Sequence, residues 1–278
     1  MFRAGVPHAR PRSTYFSQAV DRFELVFPVY SSMGRQTRYV PEGGALVEVT
    51  TRTQDARLLL RPDDTLNAVI VGVLARAKRL YPLRICGLAF MSSHYHLLLD
   101  VDDAQTLSRF MAYVNGNIAR EAGRLHNWHD HIWSRRYQSI VVSNEELTQT
   151  ERLSYVLAHG VKEGWVESTS HWPGVHCAKA LVEGTALEGV WFDRTKEYAA
   201  RRRGEDFDRY KYATRETLTL DPLPCWRHLS PERRQKRAAE LVAKIDADAA
   251  ARRAVTGITP PGPDFVRNQR PHDRVNRP

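Results

Sequence analysis

Apolar and polar positions first alternate between Ala45 and Thr53. Val47, Val49 and Thr51 fall on one side, Glu48, Thr50 and Arg52 on the other, the period-two pattern of a strand. The period then lengthens. Leu66, Val69, Ile70, Val73, Ala77 and Leu80 recur at helical spacing after Pro62-Asp63-Asp64, which offers an aspartate N-cap. Lys78 and Arg79 suit the negative end of that helix dipole, and Pro82 stops it. Arg84 to Met91 is nearly all apolar, as a strand covered on both faces would be. Ser92-Ser93 connects it to a third strand, from His94 to near Asp102. A second helical stripe follows, Leu107, Phe110, Met111, Val114, Ile118, Ala122 and Leu125, capped by Asp102 or Asp103. A fourth strand spans roughly Tyr137 to Val142. The order strand, helix, strand, strand, helix, strand predicts an α+β, ferredoxin-like (βαββαβ) antiparallel sheet with helices on one face and the other face free for a site.

A further helix is expected from about Glu145 to Glu163, with Ser143 or Asn144 as cap and Gly164 as stop. It sets Tyr155 and His159 four residues apart, on one face, with Arg152 and Lys162 flanking. Beyond residue 190 the composition changes. Residues 191–278 hold 20 Lys+Arg against 13 Asp+Glu, a net +7 of the chain's +9. Arg201-Arg-Arg203 and the cluster from Arg233 to Arg237 carry much of it, the latter on a helix opened by Ser230-Pro231 and running to about Arg253. The last twenty or so residues are rich in Pro, Arg and Asn and are expected to be disordered. The expected organisation is a basic N-terminal arm over 1–40, a catalytic domain over 41–190, and a basic, helical and partly disordered C-terminal region over 191–278.

With 278 residues, 42% of them hydrophobic, the chain can bury a sizeable core. A pI near 9.6 points to a polyanionic partner, most simply nucleic acid. Cys86, Cys177 and Cys225 lie far apart, which excludes a cysteine zinc ribbon and gives no disulfide framework. No apolar run approaches a membrane span and the first residues lack a signal-peptide core, so a cytoplasmic location is expected, nucleoid-associated when DNA is bound.

The chemistry concentrates in Met91-Ser-Ser-His-Tyr-His-Leu-Leu-Leu-Asp100. On a strand, His94 and His96 point to the same face, about 7 Å apart, while Tyr95, Leu97 and Leu99 point into the core. Two such imidazoles can converge on one divalent ion. His126, His129 and His131 read instead as loop residues, and His171, His176 and His228 have no evident partner.

Several stretches together resemble the HUH single-tyrosine transposases, in particular the REP-associated tyrosine transposase type. They are Val49-Thr-Thr-Arg-Thr53, the block around His94 and His96, Trp133-Ser-Arg-Arg-Tyr137, and Tyr155-Val-Leu-Ala-His-Gly-Val-Lys-Glu-Gly-Trp-Val166, spread over residues 45–178. The resemblance implies a divalent metal ion (Mg²⁺ or Mn²⁺) on His94 and His96, and a nucleophile at Tyr155. A third ligand follows four residues on, at His159, where the family carries Asn or Gln. It further implies a metal-dependent transposase or endonuclease on single-stranded or hairpin DNA, forming a 5′-phosphotyrosine link, as monomer or homodimer. Arg52, Trp133, Arg135, Arg136, Arg152 and Lys162 are the candidate DNA contacts. The chain departs from the family at Ser92-Ser93, where Pro-Asn is usual, and at His159-Gly160, where Asn-Pro is usual.

Two other readings compete. One is a non-catalytic, domesticated nucleic-acid-binding protein on the same fold. The other is a metal hydrolase, for which Asp100 is the carboxylate on the histidine face. Tyr113 and Tyr137 are rival nucleophiles ranked below Tyr155, one on a core-covering helix and one on a strand.

Overall fold

The computed structural model describes residues 37–205 and 208–275. Most of the expected N-terminal arm lies outside these. Strand β1 (Ala45–Arg52) leads through helix α1 (Asp64–Leu80) to β2 (Arg84–Phe90). Then follow β3 (His94–Val101), α2 (Ala104–His126) and β4 (Gln138–Val142). The caps are those the sequence offers: Asp63 accepts from the amides of Thr65 and Leu66, and Asp103 from that of Thr106. The strands order as β2-β3-β1-β4, all antiparallel, which is the ferredoxin-like arrangement.

Register decides what the sheet can do. β1 and β3 pair so that Thr50 faces His96 and Arg52 faces His94. Tyr95, Leu97 and Leu99 are fully buried on the helix side, where the Tyr95 hydroxyl donates to Asn115 of α2. The opposite face is not left bare. Helix α3 (Glu146–Leu157) crosses it, and Leu153 sits where a side chain at Gly87 would project. That cover buries Leu98 as well, and the histidine end of β3 stays beside the end of α3.

Helix α3 differs from expectation at both ends. Its N-cap position is Glu145, with no side-chain cap from Ser143 or Asn144. It ends at Leu157 rather than Glu163, because Gly160 (φ +88°) turns the chain over the Trp172 ring, where a Cβ would come within 2.8 Å of the indole.

The C-terminal half is more structured than its composition suggests. Helix α4 (Ala178–Glu183) precedes β5 (Leu187–Phe192), α5 (Arg194–Arg202) and β6 (Ala213–Leu218). β5 and β6 form a second, two-stranded antiparallel sheet that packs on α1. The sequence reading missed both strands. β6 carries Glu216, which is buried only because Arg76 and Arg79 of α1 pair with it. Helices α6 (Pro231–Thr256) and α7 (Pro263–Asn268) follow. The segment expected to be disordered instead returns to the domain: the amide of Leu58 donates to Asp273, and that of Val275 to Ala56. Main-chain pairing to 56–58, which a Pro- and Arg-rich composition does not reveal, holds it in place.

Gly72 allows α1 to lie directly on β5. A Cβ there would fall 2.2 Å from the Val190 carbonyl oxygen. Gly72→Ala should therefore cost about 2 kcal/mol despite alanine's better helix propensity, because backbone must move. A thermal melt should show a drop of roughly 4–8 °C. An unchanged melt would contradict the close contact.

Candidate metal and tyrosine site

Three imidazoles meet at the junction of β3 and α3. His94 and His96 come from one strand face as expected, and His159 from the turn just past α3. One ring nitrogen from each lies within 4.8 Å of the others. His96 and His159 are buried. Among the described residues this is the one cluster of its kind; His126, His129 and His131 form none.

Hydrogen bonding at the other nitrogens orients the rings. His96 Nδ1 lies 2.7 Å from Glu48 Oε1 and 3.2 Å from Thr50 Oγ1. His159 Nδ1 lies 3.1 Å from the Val156 carbonyl oxygen. A carbonyl can only accept, so His159 carries its proton on Nδ1 and leaves the Nε2 lone pair free. The carboxylate does the same for His96. Burial lowers the His94 pKa to about 3, with help from His96, Arg52 and Lys162. It lowers that of His159 as well, again with His96 and Lys162 adding to the effect. Both rings are neutral near pH 7, the state a ligand needs. The donor set therefore fits a divalent ion, and His94, His96 and His159 are the side chains that could hold one.

Glu48 was not singled out from the sequence, although period-two alternation put it on the right face. Only 3% exposed, it joins His96 to Arg152 of α3, whose guanidinium lies 2.9 Å from Oε2. Burial alone would raise its pKa. The His96 hydrogen bond and the charges of His96 and Arg152 outweigh that and hold it below the usual value. One carboxylate thus ties the strand that carries the histidines to the helix that carries the tyrosine.

Tyr155 is 43% exposed, with its ring centroid 5.7 Å from that of His96 and 5.0 Å from that of His159. Lys162 Nζ sits 3.4 Å from the ring centroid, and the Arg152 guanidinium 5.7 Å away. Burial raises the phenol's pKa, and the charges of Glu48 and Glu163 raise it further against the pull of Arg152 and Arg52. Tyr155 is therefore a protonated phenol at rest. Of its rivals, Tyr137 is 5% exposed and Tyr113 packs edge-on against Tyr81, the C-cap of α1.

The candidate DNA contacts divide. Arg52 is exposed beside His94, and Arg135 is exposed after it along the rim. Lys162 and Arg152 border the tyrosine. Arg136 lies with its guanidinium 5.4 Å from the Tyr137 ring centroid. Trp133 is a correction: its indole N–H donates to the Asn115 carbonyl and its ring packs edge-on to Tyr95, so it braces the core. Asp100 is another. Arg84 and Arg227 hold it, at the end of β3 away from the histidines, which removes the base that the hydrolase reading required.

Neutral buried imidazoles also set a pH response. His126 and His176, like His94, have pKa values lowered by burial, to about 4 in both cases, from 6.5. The unfolded chain takes up these protons near pH 6.5 while the folded chain does not. Their contribution is therefore complete above about pH 6.5 and is lost as pH falls towards 4. Melts of chelator-treated protein should show a falling melting temperature already between about pH 6.5 and 5, above most carboxylate titration. A flat profile there would mean these rings are not buried neutral.

A ferredoxin-like sheet bearing His-x-His beside a helical tyrosine is the setting in which the sequence resemblance can be judged. Residues 60–156 match the family described as "Transposase IS200 like". Two solved structures are similar. One is described as a REP-associated tyrosine transposase bound to a REP hairpin, at 21% identity over 54% of this chain and 86% of that one, with a TM-score of 0.44. The other is a putative transposase from Deinococcus radiodurans, at 19% identity over 43% of this chain and 94% of that one, with a TM-score of 0.31. No curated protein matches. Among the described residues, no helix is long and apolar enough to cross a membrane.

Proposed function

We propose that this chain is a transposase that cleaves and rejoins single-stranded DNA, at hairpin-forming sequences, through Tyr155. The observation that carries the reading is a half-exposed phenol against two of three clustered imidazoles, between two cations. Tyr155 Oη attacks the scissile phosphorus. The P–O3′ bond breaks, leaving a 5′-phosphotyrosine and a 3′-oxygen that takes up a proton as the phenol gives one up. The phosphodiester is exchanged for a phosphotyrosine, so a 3′-hydroxyl can reverse the step and join a different strand. Lys162 over the ring offsets charge as the phenol deprotonates. Arg152 fixes Glu48, and Glu48 fixes His96. Arg52 and Arg135, both exposed near this site, are the proposed phosphate contacts. When bound by His94, His96 and His159, a divalent ion such as Mg²⁺ or Mn²⁺ supplies Lewis-acid polarisation of the phosphate.

The test mixes the full chain with Mn²⁺ or Mg²⁺ and an end-labelled single-stranded hairpin, then separates products under denaturing conditions. A covalent protein–DNA band supports the reading. Release of plain 5′-phosphate indicates hydrolysis, and binding without either product indicates a non-catalytic DNA-binding protein.

A further inference from the structure

Beside the tyrosine lies an aromatic and cationic strip, of which the proposed chemistry uses only Lys162. Trp165 follows the His159 turn, and its ring stacks on Phe265 of α7 with centroids 6.1 Å apart and planes at 13°. Phe265 is 52% exposed and Ile258, nearby in sequence, is 66% exposed. On one side of the pair is a cavity of about 540 Å³, walled by Lys162, Glu163, Arg252 and Arg253. Since Lys162 also caps the Tyr155 ring, this cavity borders the nucleophile. A second groove, of about 750 Å³, shares Trp165 with that cavity and is lined by Phe265, Arg57, Arg270, His272 and Arg274 as well. Six Lys and Arg face two carboxylates, Glu163 and Asp273, along the whole strip.

The backbone fixes this strip in position. Gly262 (φ +89°) redirects the chain after Pro260-Pro261, and its amide donates to the Trp165 carbonyl. Arg57 donates to the His272 carbonyl and Arg274 pairs with Asp55. Val266 is the buried anchor of α7, while Phe265 beside it faces out. Among the described residues, the guanidinium groups of Arg252 and Arg270 have no hydrogen-bond or carboxylate partner. An exposed Phe265 ring stacked on the half-buried Trp165, near two uncommitted guanidinium groups, matches a chain of phosphates with bases that need a stacking surface.

We infer that Trp165, Phe265 and the returning segment 257–275 form the track for the single strand that adjoins the cleaved phosphodiester. Bases stack on the Phe265–Trp165 pair while Arg252 and Arg270 contact phosphates on either side. This rests on the proposed DNA-cleaving function but assigns it a surface that the expected contacts around Arg52 and Arg135 did not include. An acidic peptide would suit the cations but leave the stacked rings without a role.

Fluorescence anisotropy on the full chain tests it, using a DNA hairpin with and without a short thymidine extension on either side. Extension on one side should tighten binding. Phe265→Ala should remove about 10-fold of that gain, with Tyr198→Ala, an exposed aromatic elsewhere, as the unaffected control. Arg252→Gln with Arg270→Gln should lower the salt slope of binding by about 1.4, two phosphate contacts on a single strand. Iodouracil in the extension should cross-link to peptides containing Trp165 or Phe265. Equal binding with and without extension, a Phe265→Ala variant equal to the parent, or a poly-glutamate peptide held as tightly as the oligonucleotide would each overturn the inference. The two proposals fail separately. A covalent adduct on the bare hairpin with no effect of extension removes the track alone. Extension binding that depends on Phe265, without any adduct, removes the cleavage chemistry alone.

Discussion

Tyr155→Phe should abolish the covalent protein–DNA product while leaving hairpin affinity within a few-fold of the parent. The substitution deletes one oxygen and keeps the ring that His96, His159 and Lys162 surround. A nucleophile has no partial substitute, so strand cleavage should fall by on the order of 10⁴ or more. Folding should be nearly unaffected, within about 0.5 kcal/mol, because the position is on the surface and 43% exposed. Lys162→Met separates ring packing from charge. It should leave the product intact but slow its formation and move the pH dependence upward, since the phenol's pKa is already raised by burial and two carboxylates and would lose a neighbouring cation. Persistence of the covalent band in Tyr155→Phe would transfer the role to another residue, though Tyr137 is buried and Tyr113 lies on α2, across the sheet from the histidines.

The elements that position this site were readable because their periods are clean and their caps local. α1 and α2 carry uninterrupted apolar stripes behind Asp63 and Asp103, and β3 alternates from His94 to Asp100. The end of α3 was not readable. Its length depends on Gly160 meeting Trp172, a contact between residues on different turns of the chain. β5 and β6 were missed for a similar reason: β6 reads as polar until Arg76 and Arg79, more than a hundred residues earlier, neutralise Glu216. Trp133 looked like a DNA contact because an exposed rim and a core brace use the same side chain. Only the hydrogen bond to Asn115 separates them. Glu48 shows what alternation can and cannot give. Its face followed from the strand, but its partnership with His96 depended on a register set by long-range pairing.

His94→Ala should separate binding from chemistry in the opposite sense to a phosphate-contact variant. If the three imidazoles hold the ion, removing one should reduce Mn²⁺ affinity by more than the roughly 10–100-fold that loss of a supporting partner costs. Titration calorimetry on the DNA-free protein reads this directly, without reference to cleavage. Cleavage should vanish, yet hairpin affinity and its salt slope should stay close to the parent's, because a neutral imidazole releases no counterion. Glu48→Gln belongs to the intermediate class. The amide can still accept from His96 but no longer carries the charge that stabilises the ligated ring, and Arg152 loses an ion pair at 2.9 Å. A drop of roughly 10–100-fold in metal affinity is expected there, with Tyr155 still able to form product at saturating Mn²⁺. The ordering of the two variants is the discriminating feature. Were Glu48→Gln to weaken metal binding more than His94→Ala, the carboxylate would itself be a ligand and His94 a bystander. Were both to weaken DNA and metal equally, the cluster would be holding the fold together rather than an ion.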